Sequence, residues 1–101
     1  METHKNLHVW QKSISFVTDI YMLTKGFPKE ELFSTVNQIK RAALLIPANI
    51  AEGSARKNTK EYIQFLYISL GSAAELETHL IISSNLGFIK KNETEKIQNE
   101  L

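Results

Sequence analysis

Glu75 and His79 stand one helical turn apart, a spacing at which a carboxylate and an imidazole can bind one metal ion. Bundles that hold two metal ions use Glu-x-x-His pairs repeated on facing helices. Here the pair is four apart and occurs once, so solvated surface residues explain it better than a metal site. His4 and His8 repeat the spacing in a segment expected to fray. Asp19 is the sole aspartate, glycine-rich phosphate loops are missing, and no serine sits in a nucleophile elbow. The absence of cysteine removes disulfides, thiolate metal sites and thiol nucleophiles. No catalytic residue, metal, cofactor or small-molecule substrate is therefore expected.

Charged side chains offer other chemistry. Arg56, Lys57 and Lys60 form the densest basic group, able to contact phosphates, although surface solvation explains such groups more often. Lys25, Lys29, Lys90 and Lys91 gather at the other end of the helices. Glu52, at the partially negative end of its helix, calls for a cation, and Arg56 is within reach. If the second and third helices fold back on each other, Arg41 comes opposite Glu75 and Gln38 comes near Leu76. A buried Arg41–Glu75 pair is expected, and removing either partner would cost about 3–5 kcal/mol.

The elements that must position these groups follow from one persistent period. Val9, Ser13, Phe16, Ile20, Leu23 and Phe27, beside Trp10, Ile14, Val17, Tyr21 and Thr24, make one wide apolar face that ends at Gly26 to Pro28. A second helix starts after Pro28 and carries Leu32, Val36, Ile39, Ala43, Ile46, Ile50 and Gly53 in one row. Pro47 leaves that register intact and Ile46 is a poor cap, so one long helix kinked at the proline is expected rather than two. Asn58 with Glu61 caps a third helix, with Tyr62, Leu66, Ala73, Leu76 and Leu80 in its row and Gly87 as its stop. Gly71 to Ala74 are small and are expected to let this helix approach Ala42 and Ala43 closely. Asn92 with Glu95 opens a short fourth helix bearing Ile97 and Leu101.

Four helices without strand-like alternation predict an all-α, antiparallel up-down-up-down four-helix bundle, one domain over residues 1–101. At 101 residues and 43% apolar composition the chain can bury a modest core. A formal net charge of +1 provides no global field for nucleic acid or anionic membranes. With no signal core and no membrane-length apolar run, a cytoplasmic protein without membrane contact is expected. From Ala42 to Ala51 the second helix has one polar side chain, Asn49, so Leu44, Leu45, Pro47 and Ile50 offer more apolar surface than one stripe requires. With Gly71 on the third helix they are expected to serve helix packing and self-association.

The ordered set VWQK, FPKEE, QIKRAALLIPANIAEG, SARKNTKEY and FLYISLGSAAELETHL resembles the 23S rRNA-intervening-sequence protein family of bacteria across nearly the whole chain. The resemblance implies a four-helix bundle assembled as a homopentameric ring, without enzymatic activity. It also implies a fold similar to the accessory protein of diversity-generating retroelements, for which partnership with RNA, DNA or a nucleic-acid enzyme is proposed. The family signature falls on Gln38, Arg41, Pro47, Asn49, Glu52, Gly53, Gly71, Ser72 and Glu75, which implies a structural polar cluster of Gln38, Arg41, Asn49, Glu52 and Glu75. Leu45 stands where members often have serine, and the fourth helix is shorter than is typical. Two functions follow as expectations: an oligomeric scaffold that touches nucleic acid through Arg56, Lys57 and Lys60, or a protein-interaction module with no nucleic-acid contact.

Overall fold

Helix is the only regular structure among residues 3–100, the part of the chain that the computed structural model describes. A 3-10 turn, His4–Asn6, leads into α1 (His8–Thr24), and a second, Lys29–Glu31, precedes α2 (Thr35–Ser54). α3 (Thr59–Asn85) and α4 (Lys91–Gln98) complete the chain. The four expected helices are present. His4 lies in the first turn and His8 opens α1, and the His4 ring packs edge-on against Trp10 at 4.9 Å.

Burial follows the predicted rows, with departures at their ends. On α1, Ser13, Phe16, Val17 and Ile20 are buried, whereas Val9 and Ile14 are exposed. α2 starts later than the row implied. Glu31 turns its carboxylate back to accept from the hydroxyls of Thr35 at 2.6 Å and Ser34 at 3.3 Å, which holds a turn that leaves Leu32 exposed. The buried row then runs Val36, Ile39, Ala43, Ile50 and Gly53. α2 is continuous across Pro47, which is itself buried, in keeping with the undisturbed register.

Both ends of α3 match their local chemistry. The Asn58 side chain accepts from the Glu61 backbone N–H at 3.0 Å. At the other end Gly87 takes φ +81°, the Phe88 N–H donates to the Ser83 carbonyl and the Gly87 N–H to that of Ser84, so the last carbonyls are satisfied in a Schellman turn. The expected Asn92–Glu95 cap does not form. The extended residue at the start of α4 is Lys90, with no side-chain bond, so Asn92 already lies inside the first turn. Ile97 is buried as expected, together with Thr94. Leu101 lies outside the described residues.

α2 packs along α3, α1 lies on α2, and α4 folds onto α3. Their shared core comprises Phe16, Val17 and Ile20 from α1, Val36, Ile39, Ala42 and Ala43 from α2, Leu76 and Leu80 from α3, and Ile97. Phe27 and Ile89 close it from the connections. Buried serines narrow the α3 face: Ser69 and Ser72 lie toward its middle and Ser83 near its end. The Ser69 hydroxyl donates to the Ile46 carbonyl at 2.9 Å, tying α3 to α2 one residue before the proline. α4 covers one end of the molecule only. Between α1 and α3 an open cleft of about 330 Å³ is lined by Phe16, Ile46, Leu66, Leu70 and Ala73 among others.

Candidate functional site

The expected polar residues do not assemble inside the fold. Arg41 is exposed, because it sits two residues from both Ile39 and Ala43, the buried row of α2, and so points away from that row. Glu75 is also exposed and pairs instead with His79, one turn along α3, at 3.6 Å. The buried Arg41–Glu75 pair is therefore absent from the single chain. The positions that face inward there are Ile39, Ala42 and Ala43 on α2 and Ser72 and Leu76 on α3, so the two charged residues fall on the outer sides of their helices. Gln38 is exposed, and half-buried Asn49 spends its amide on the Leu45 carbonyl at 2.8 Å. The Glu52–Arg56 pair does form, at 2.8 Å, but both partners are largely in water and such pairs contribute under about 1 kcal/mol.

A Cβ at Gly53 would lie 2.6 Å from the Phe65 Cβ and 3.0 Å from a ring carbon of Tyr62. Gly53 thus lies where α2 and α3 pack too closely for a further methyl group. Gly71, expected near Ala42 and Ala43, is exposed, and nothing lies within 4 Å of where its Cβ would be. A glycine inside a 27-residue helix costs about 1 kcal/mol relative to alanine, and no intramolecular contact offsets that cost.

Around Gly71 the surface is largely apolar, with the exposed carboxylate of Glu75 one turn along α3. Tyr67 is 70% exposed, Leu70 63%, Ile68 50% and Ile63 46%, and on α2 Leu44 and Leu45 are exposed too. Pro47 and Ile50, by contrast, are used within the chain. The exposed groups lie on more than one side of α3. Leu66 and Leu70 line the cleft toward α1, whereas Ile68, Gly71 and Ile82 follow at helical intervals on another side.

At the tip between α2 and α3 the three basic residues differ. Arg56 is committed twice, to Glu52 and to the Phe65 ring, whose centroid lies 5.0 Å from the guanidinium carbon. Lys57 and Lys60 are exposed. Among the described residues no group of three or more His, Asp or Glu side chains could hold a metal ion, and no helix is long and apolar enough to cross a membrane.

Comparison with curated proteins gives no match. Residues 5–101, nearly everything from the His4–Asn6 turn through α4, match the family described as 23S rRNA-intervening sequence protein, and the chain belongs to that family.

Proposed function

We propose that this chain is a non-catalytic, self-associating scaffold whose working surface is the apolar face left open on α2 and α3. The observation that carries the reading is the exposure of Leu44, Leu45, Ile63, Tyr67, Ile68 and Leu70 in one molecule, more apolar surface than scattered residues on a monomer explain. Its placement on two sides of α3 supports a ring, since a cyclic assembly joins two different patches and leaves no end. Gln38, Arg41 and Glu75 would acquire partners across such contacts. Light scattering at micromolar concentration should give a multiple of the 11.5 kDa chain mass, with five subunits expected from the family likeness. A monomer mass across that range overturns the reading.

Contact with RNA or DNA at the α2–α3 tip is a second reading, favoured by the exposure of Lys57 and Lys60. With Arg56 occupied and Glu61 beside it, the tip offers a weak, sequence-tolerant attraction. Lys57→Ala with Lys60→Ala should weaken RNA retention in a low-salt gel shift and flatten its salt dependence. An unchanged shift excludes the tip. Absence of any shift for the native protein favours the plain protein-interaction module.

A further inference from the structure

At the corner where α1 passes into α2, three lysines line one concavity of about 210 Å³: Lys25, Lys29 and Lys40. Its remaining wall is Thr24, Phe27, Pro28, Leu32 and Val36, and no carboxylate contributes. The nearest acids in sequence are Glu30, which is exposed, and Glu31, whose carboxylate is engaged by Thr35 and Ser34. We propose that this corner is a binding site for a single phosphate-type oxyanion, held by the ammonium groups of Lys25, Lys29 and Lys40.

Ordinary surface solvation accounts for only part of the arrangement. Lys25 follows the last turn of α1, where a cation complements the helix dipole. Lys29 and Lys40 have no such role. Lys40 lines the cavity and is half-buried, and its ammonium lies over the neighbouring Tyr21 ring at 4.9 Å from the centroid, which restricts where the charge can go. An ammonium has three donors, and the ring occupies one side of it, leaving N–H groups for an anion. The carbonyls of Met22, Leu23 and Thr24 at the end of α1 accept from the N–H groups of Lys25, Gly26 and Phe27, which tempers the negative end of the helix that the three lysines must outweigh. Apolar Phe27, Pro28, Leu32 and Val36 lower the local dielectric, which strengthens the attraction between lysines and an anion.

The test is calorimetric titration of the full chain with inorganic phosphate at constant ionic strength, with chloride as the balancing anion. Saturable binding with a dissociation constant on the order of millimolar is expected. Lys29→Gln and Lys40→Gln should each weaken it about five-fold, while Lys12→Gln, an exposed position near the start of α1 and outside this cavity, should leave it unchanged. Lys29→Gln changes an exposed side chain in a turn and keeps the test valid if Lys40→Gln disturbs the Tyr21 contact and the fold. A parallel titration with AMP and adenosine separates the sources of the group. Lysine-dependent binding of AMP but not adenosine assigns a phosphate monoester, and phosphate binding alone assigns a free-anion site; both support the proposal. No saturable binding of either phosphate or AMP, or an equal loss with Lys12→Gln, overturns it. Neither result depends on the number of subunits.

Discussion

Gly53→Ala should destabilise the protein, although alanine is the better helix former. Adding a methyl group in the body of a helix gains about 1 kcal/mol in propensity. At Gly53 that methyl would sit 2.6 Å from the Phe65 Cβ, 3.0 Å from Tyr62 Cδ1 and 3.3 Å from the Tyr62 carbonyl oxygen. Two of these neighbours are a backbone atom and the root of a side chain, which cannot swing aside, so α2 and α3 must separate. Overpacking of this kind costs roughly 1–3 kcal/mol, and here it is applied where the Arg56–Phe65 contact and the Ser69–Ile46 bond depend on the same spacing. The net loss should be about 1 kcal/mol, a fall of roughly 4–8 °C in Tm for a domain of this size. Gly26→Ala is the control, since its new Cβ would meet only the Leu23 carbonyl oxygen at 3.8 Å. Thermal melts at one protein concentration decide the matter. A Gly53→Ala protein as stable as the native chain would show that the helices can part at little cost.

Why Gly53 was visible in the sequence only as one more member of a row, and Gly71 was read as the close-packing glycine, has a physical explanation. Periodicity reports which face of a helix is buried. It does not report how near the facing backbone comes. The rows of α1 and α2 were legible because Phe16, Ile20, Ile39 and Ile50 are apolar and regularly spaced, and the ends of α3 were legible because an Asn cap and a left-handed glycine act within a few residues. The buried edge of α3 was only half visible: Ser69, Ser72 and Ser83 occupy core positions with polar side chains, so hydropathy passes over them. Ser69 can be buried because its hydroxyl reaches the Ile46 carbonyl across the interface, a partner that no local pattern reveals. The Glu52–Arg56 pair was readable as an i,i+4 contact, whereas the Arg41–Glu75 pairing required knowing the rotation of both helices about their axes. That rotation is set by the small residues between them.

If the chain self-associates as proposed, Ile68→Glu and Gly71→Leu should give single chains, the largest effect expected of any substitution. Each residue is exposed on α3 and they lie three apart on one side of it. Within one molecule neither change should matter greatly: Ile68 is half exposed, and a side chain at Gly71 would project into space with nothing within 4 Å. If the chain worked alone, Gly71→Ala would simply recover helix propensity and raise stability by about 1 kcal/mol, or roughly 4–8 °C in Tm. A subunit contact reverses this. A glycine among Tyr67, Ile68 and Ala74 lets another helix come close, leucine there holds it off, and glutamate at position 68 would bury an unpaired charge in the contact. The measured mass of Gly71→Leu and of Ile68→Glu should therefore fall toward 11.5 kDa at concentrations where the native chain remains assembled, with helical content retained in circular dichroism. Lys12→Glu, on an exposed α1 position outside this side of α3, should leave the mass unchanged. If both α3 variants keep the native mass, subunit contacts lie elsewhere. A Gly71→Ala protein that also becomes more stable would then identify Gly71 as an unoptimised surface position.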